Sequence, residues 1–175
     1  MTNSFRHTAG FGKRIEYWVV GLMLKQGLDV YLPLVDDDAI DAVVKRPDGS
    51  FIEVQIKARS GTVLFGDGCL FAAITHEVRH NYWFVFYAER HDAIFILSSD
   101  EFIAEASQNK TGKNAGKRSV WFNGVRKNKQ TGEREEYIKE RYQKYLCRDF
   151  ARMLAPPPTV ASDPDSSQPS PPQAA

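Results

Sequence analysis

The strongest constraint on the fold of this 175-residue chain is a pair of apolar-rich segments joined by the turn sequence PDGS. Residues 40–46 and 51–59 flank this turn, whose composition is typical of a tight connection between antiparallel strands. In the second segment Ile52, Val54 and Ile56 alternate with polar side chains. Because successive side chains of a strand point to opposite faces, the sequence predicts a β-hairpin with one apolar and one polar face.

The segments on either side of this hairpin predict a mixed architecture. Apolar residues at helical spacing indicate a helix over residues 11–26, which Gly27 ends. Further strands are expected at residues 28–34, 81–88, 93–97 and 119–125, a short helix at 100–108 capped by Ser99, and a last helix at about 134–153. The fold class is therefore α/β or α+β, with a mixed central β-sheet flanked by helices.

Composition places the folded part of the chain before residue 155. Residues 155–175 contain seven of the nine prolines and no aromatic residue, so we expect one domain over residues 1–154 and a disordered Pro/Ser-rich tail. No apolar run reaches the ~20 residues of a membrane span, and the N-terminus lacks an apolar signal core. Together with two widely spaced cysteines, Cys69 and Cys147, these features favour a cytoplasmic protein without a membrane partner.

Charge is unevenly distributed along the chain, although the net charge is only +1. Residues 1–108 contain 10 Lys and Arg against 15 Asp and Glu, whereas residues 109–152 contain 13 against 5. A basic segment attracts polyanions through phosphate contacts; a solvated helix face is the alternative that charge alone leaves open. The candidate nucleic-acid contacts are Lys110, Lys113, Lys117, Arg118, Arg126, Lys127 and Lys129. They form no base-reading motif, so we expect recognition of DNA shape or backbone.

A second candidate site lies on the polar face of the predicted hairpin. Glu53, Gln55 and Lys57 share that face, and Asp41 opens the neighbouring strand, so the hairpin can bring Asp41 close to Gln55 and Lys57. Solvent exposure alone would also explain three polar side chains on one face. If the face is functional, its carboxylate and amide oxygens suit Mg²⁺ or Mn²⁺.

The order of these residues resembles that of the PD-(D/E)XK nuclease superfamily. Glu16 lies in the first predicted helix, Asp41 at a strand start in AIDAVV, and Gln55-Ile56-Lys57 on the next strand in FIEVQIKA. The similarity covers about residues 10–100 and is greatest to the small Gln-x-Lys branch, akin to Holliday-junction resolvases and Mrr-type restriction endonuclease domains. It implies a restriction-endonuclease-like core and a metal-dependent nuclease that hydrolyses phosphodiester bonds in DNA.

The resemblance also implies a role for each candidate residue. Asp41, Gln55, Lys57 and Glu16 would be catalytic, and Asp41, Gln55 and Glu53 would hold Mg²⁺ or Mn²⁺. A cation of this kind polarises the phosphate and lowers the pKa of a water molecule. Lys57 would orient that water and stabilise charge in the transition state, while Glu16 would assist from the rim of the site.

Gln55 departs from the usual pattern of the superfamily, in which Asp or Glu takes this position. A neutral amide oxygen binds Mg²⁺ more weakly than a carboxylate, and Glu53 is the residue that could compensate. The alternative function is therefore a catalytically inactive nuclease-fold module that binds nucleic acid or a partner protein. We expect DNA as the partner, and a homodimer is our hypothesis for the assembly.

Overall fold

A computed structural model describes residues 8–35, 38–147 and 149–155. The helices are α1 (Thr8–Lys25), α2 (Ser99–Glu105) and α3 (Ala151–Leu154). The strands are β1 (Asp29–Tyr31), β2 (Ala42–Lys45), β3 (Phe51–Arg59), β4 (Leu70–Ile74), β5 (Tyr82–Ala88), β6 (Ala93–Ser98), β7 (Ser107–Gln108), β8 (Arg118–Trp121), β9 (Asn123–Lys127) and β10 (Arg134–Ile138). Residues 156–175 of the expected tail lie outside the described residues, so the domain boundary stays a prediction.

The central sheet has five strands in the order β1-β2-β3-β5-β6. Strand β3 runs parallel to β5, and all other neighbours in this sheet are antiparallel, so the predicted mixed sheet is confirmed. Helix α1 packs on one face, where Val19 and Met23 join the buried cluster of Ile52, Val54 and Ile56. None of the helices in the described part of the chain is long and apolar enough for a membrane span.

The β2–β3 hairpin has the predicted turn and orientation. Ala42 pairs with Val54, and the Arg46 amide donates to the Ser50 carbonyl at 2.8 Å across the turn. Gly49 has a φ of +84°, a conformation that residues with a Cβ rarely adopt. The apolar face of β3 is turned towards α1 because its three aliphatic side chains belong to the α1 cluster.

A second sheet, in the order β4-β8-β7, contributes to the core on the other face of β5. Phe71 of β4 and Phe122 lie in one buried cluster with Phe84 and Phe86 of β5. Strand β4 was not predicted from the sequence. Its pairing with β8 shifts register between Phe71 and Ile74, and Ala73 adopts a φ of +59°, so the side chains do not alternate in the way that a regular strand requires.

The predicted helix over residues 134–153 is wrong. The segment begins with β10, continues through a 3-10 helix at Glu140–Tyr145 and ends with α3. Tyr142 and Tyr145 are buried, so their spacing reflects packing in the core and not one continuous helix. Strand β10 is extended because it pairs with β9. The cap of α2 is also shifted by one residue, because Ser98 forms the capping box with Glu101.

Removal of the Met153 side chain should destabilise the domain, because α3 docks through it. Met153 is fully buried, and its carbonyl accepts a 2.8 Å hydrogen bond from Arg46 Nε. Met153→Ala should lower the free energy of unfolding by about 2–4 kcal/mol in urea or thermal melts. Leu24→Ala is the matched control, because Leu24 is 54% exposed; equal effects of both changes would show that α3 does not pack on the sheet.

Candidate active site

Asp41 is fixed at the start of β2 by two hydrogen bonds to β3. Its amide donates to the Val54 carbonyl at 2.9 Å, and its Oδ2 accepts from the Ile56 amide at 2.7 Å. The β2–β3 register ends with the pair Ala42 and Val54, so Asp41 lies just before the regular ladder. Its carboxylate therefore lies beside the β3 backbone at Ile56, the residue between Gln55 and Lys57 in the sequence. An approach of this carboxylate to either side chain stays a prediction.

Glu16 of α1 and Asp41 line the same small cavity. The cavity has a volume of about 50 Å³, and its wall also includes Lys13, Tyr17 and the apolar residues Val20, Leu32, Pro33 and Ile40. A water molecule takes up about 30 Å³ in the liquid, so the space suits one or two water-sized groups. The docking of α1 on β3 thus brings together two carboxylates that are 25 positions apart in the sequence.

Lys13 is the residue of this cavity that the sequence analysis missed. Its Nζ lies 2.5 Å from Glu16 Oε2, an oxygen that solvent does not reach. The hydrogen bond to Glu16 raises the pKa of the Lys13 ammonium, and the charges of Glu16 and Asp41 act in the same direction. The available signal was the i,i+3 spacing of Lys13 and Glu16, which puts both on one side of a helix.

Gln55 and Lys57 lie on the face of β3 opposite to α1. Gln55 is buried at 5% exposure and stands next to Phe84 of β5, whereas Lys57 stands next to Phe86. Lys57 is half-buried and lines a second cavity of about 160 Å³ with Arg59 and residues of β4. Neither Gln55 nor Lys57 lines the cavity that Asp41 shares with Glu16.

Glu53 is held by a different set of contacts. Its carboxylate forms an ion pair with Arg79, whose guanidinium also donates to the Asp38 carbonyl at 3.0 Å and lies 4.3 Å from the centre of the Tyr82 ring. A ligand role for Glu53 would require this pair to separate. That role stays a prediction, as do the expected roles of Asp41, Gln55, Lys57 and Glu16.

The donor set fits a hard cation that needs few protein ligands. Among the described residues, no three His, Cys, Asp or Glu side chains cluster as a metal site. Asp41 and Glu16 nevertheless bring two carboxylates to one cavity, and Mg²⁺ is commonly held by one or two carboxylates, with water and substrate phosphate completing its shell. The cavity chemistry is therefore compatible with Mg²⁺ or Mn²⁺ and unlike a structural zinc site.

The candidate nucleic-acid contacts fall into two groups, in which Lys117 and Arg118 are half-buried and the others are exposed. Lys110, Lys113 and Lys117 belong to a glycine-containing loop closed by a 2.8 Å hydrogen bond from the Asn109 amide to the Lys117 carbonyl, and Arg118 follows as the first residue of β8. The second group, Arg126, Lys127 and Lys129, lies in or next to the β9–β10 hairpin, where Arg126 pairs with Glu135 at 2.6 Å. The structure thus separates one basic sequence segment into a loop and a hairpin.

Comparison with known proteins gives a similarity of fold. No protein-family model and no curated protein match the chain. Among solved structures, the chain is similar to a bacterial homing endonuclease, I-Ssp6803I, with a TM-score of 0.50 and 20% sequence identity. The match covers 79% of this chain and 88% of that chain. The domain therefore has a nuclease-like α+β fold.

The Asp41 side chain should contribute to stability through its hydrogen bond to Ile56. Asp41→Asn retains a carbonyl oxygen that can accept from the Ile56 amide, whereas Asp41→Ala removes the acceptor. We expect Asp41→Ala to be less stable than Asp41→Asn by about 1–2 kcal/mol in denaturant melts. Asp100→Ala, at an exposed position, serves as the control. An Asp41→Ala protein as stable as the wild type would contradict the structural role of this carboxylate.

Proposed function

We propose that this chain is a metal-dependent DNA endonuclease with a PD-(D/E)XK-type centre. The observation that carries the proposal is the position of Asp41, whose carboxylate accepts from the Ile56 amide and shares a cavity with Glu16. A hairpin that holds a carboxylate beside a Gln-x-Lys strand, with a second carboxylate on the adjacent helix, is the arrangement that the sequence resemblance implies. Similarity to a bacterial homing endonuclease supports DNA as the substrate class.

The proposed roles follow from the chemistry of each side chain. A bound Mg²⁺ or Mn²⁺ would polarise the scissile phosphate and lower the pKa of a water molecule. Asp41 would hold the cation through its carboxylate, and Gln55 would add an amide oxygen. Glu16 would hold water in the shared cavity. The Lys57 ammonium would orient the attacking water and stabilise the negative charge that develops on the phosphate.

Two features favour the second candidate, a non-catalytic DNA-binding module. Gln55 removes one negative charge from the usual ligand set, and the Lys13 ammonium compensates charge at Glu16, 2.5 Å from its Oε2. Both features lower the attraction of the cavity for a divalent cation. Only the first candidate predicts DNA cleavage that requires a divalent cation.

Two substitutions test the catalytic proposal. Asp41→Asn and Lys57→Met should each reduce the cleavage of plasmid and branched DNA in Mg²⁺ or Mn²⁺ by about 100-fold or more, because each removes a charge that acts in the transition state. EDTA should abolish the wild-type activity. Initial rates of nicking on agarose gels provide the measurement.

Lys45→Met is the matched control for Lys57→Met, because Lys45 is an exposed lysine at the end of β2 in the same hairpin. It should retain the wild-type rate. Wild-type rates in Asp41→Asn and Lys57→Met, with the fold intact by circular dichroism, would remove both residues from the proposed centre. Metal-dependent binding without cleavage by the wild type would favour the non-catalytic module.

Gln55→Glu tests whether the amide limits the affinity for the cation. The change adds a carboxylate at a buried position next to Ile56, whose amide binds Asp41, so Mn²⁺ should bind about tenfold more tightly. Isothermal titration of Mn²⁺ without DNA measures this directly. Gln55→Met, which removes the oxygen, should weaken binding. If neither change alters the dissociation constant, Gln55 fills space in the core and is not a ligand.

A further inference from the structure

The β9–β10 hairpin projects from the core as a ribbon with a basic, exposed end. All residues from 126 to 134 are exposed except Asn128, which is half-buried. Four of the ten residues at positions 126–135 are basic and two are acidic. Within the described part of the chain, no carboxylate lies within 4 Å of Lys127, Lys129 or Arg134. The end of the ribbon therefore presents cations that no carboxylate of the described residues pairs with.

The turn at the end of this ribbon is ordered by its own hydrogen bonds. The Asn128 amide donates to the Glu133 carbonyl at 2.7 Å, and Asn128 Oδ1 accepts from the amides of Gln130 and Thr131. Gly132 completes the turn at a φ of +74°. Because the backbone of the tip is fixed in this way, binding would cost little backbone entropy there, and the ordering cost would fall on the Lys129 and Gln130 side chains.

The base of the ribbon is anchored in the interior. Asn123 is fully buried, its Oδ1 accepts from the Cys69 amide at 3.0 Å, and its Nδ2 donates to the Gly66 carbonyl at 2.9 Å. The Glu136 carboxylate, 3% exposed, accepts from the Gly66 amide, from Arg90 at 2.7 Å and from His91 at 2.8 Å. Burial would raise the pKa of Glu136, but these hydrogen bonds prevail and lower it.

The same anchor connects the ribbon to the candidate active site. Residues 60–68 form the loop that follows β3, and β3 ends two residues after Lys57. Arg59 Nε donates to the Asp67 carbonyl at 3.2 Å, and Arg90 donates to the Gly61 and Leu64 carbonyls at 2.9 and 3.2 Å. Hydrogen bonds therefore join this loop both to β3 and to the base of the ribbon. DNA held by the ribbon would be held at a fixed distance from Lys57.

We propose that the β9–β10 hairpin enters the major groove of duplex DNA, with Lys127 and Lys129 on phosphates and Gln130 towards base edges. This inference rests on the proposed function and extends it to a mode of substrate recognition. The major groove of B-DNA is about 12 Å wide and admits a two-stranded β-ribbon. The exposed part of the ribbon begins at residue 126, and the three steps from residue 126 to residue 129 extend about 10 Å, which is enough for the tip to reach the groove floor at a depth of about 8.5 Å.

Charge and groove shape select duplex DNA among the polyanions. Double-stranded RNA carries a phosphate charge similar to that of duplex DNA. Its major groove, however, is deep and narrow and excludes protein elements of this size. A ribbon that binds through the groove will therefore discriminate between the two duplexes, and a basic patch that binds through charge alone will not. Duplex DNA that contains glucosylated 5-hydroxymethylcytosine provides a second comparison with unmodified DNA, because its sugars fill the major groove and leave the phosphates in place.

Fluorescence anisotropy of full-length protein with a labelled 30-base-pair duplex, in EDTA so that no cleavage occurs, tests the proposal. The Lys127→Gln/Lys129→Gln double variant should bind about tenfold more weakly. The slope of log affinity against log salt should fall in magnitude by about 1.8, since each phosphate contact contributes about 0.9. The control is Lys25→Gln/Lys45→Gln, which removes the same charge at exposed positions outside the hairpin and should leave both quantities at wild-type values.

Each remaining outcome has a defined meaning. Equal loss in the two double variants would overturn the hairpin as the docking element, as would equal affinity of the wild type for DNA, glucosylated DNA and double-stranded RNA. Either result leaves the nuclease proposal standing, because cleavage is measured separately. A wild-type protein that binds no nucleic acid at any salt concentration would overturn both proposals. Preference for single-stranded DNA would also overturn the ribbon, because single strands have no groove.

Discussion

The hydrogen bond between the Ile56 amide and Asp41 Oδ2 sets the geometry on which the candidate site depends. The backbone ladder between β2 and β3 ends with the pair Ala42 and Val54, and this side-chain hydrogen bond joins the two strands beyond that pair. The bond fixes the carboxylate at the point where β3 presents Gln55 and Lys57 on one face and Ile56 on the other. If the register slipped by one residue, every side chain of β3 would change face, and both the α1 packing and the site would be lost.

The two faces of β3 have different functions in this arrangement. Ile52, Val54 and Ile56 bury α1, which in turn carries Glu16 and Lys13 to the cavity beside Asp41. On the opposite face, Gln55 is buried beside Phe84 of β5. The proposed centre is thus formed at the edge where two packed layers meet, and its charge balance is set by α1 as much as by the hairpin. The positive charge of Lys13 offsets part of the negative charge of the two carboxylates. The affinity of the site for a divalent cation therefore decides between the two proposed functions.

The sequence predicted the parts of the fold that depend on local patterns. The PDGS turn, the alternation of β3 and the position of Asp41 at the start of β2 all follow from neighbouring residues. The contact of Lys13 with Glu16 and Asp41 depends on how α1 docks, and the Glu53–Arg79 pair joins residues from separate strands and loops. Strand β4 lacks regular alternation, and β10 is extended because β9 pairs with it, although Ile138, Tyr142 and Tyr145 follow a helical spacing. Tertiary pairing overrode local pattern in that segment.

Paramagnetic broadening by Mn²⁺ tests the central claim most directly, because it locates a bound cation without any need for activity. In ¹⁵N-correlated spectra, substoichiometric Mn²⁺ should first broaden the amide resonances of Ile56, Asp41 and Glu16, and Asp41→Asn should abolish that selectivity. Broadening centred on another acidic region, such as Glu133 and Glu135, would contradict the account. So would an absence of selective broadening at millimolar Mn²⁺, which would show that the cavity beside Asp41 binds no cation.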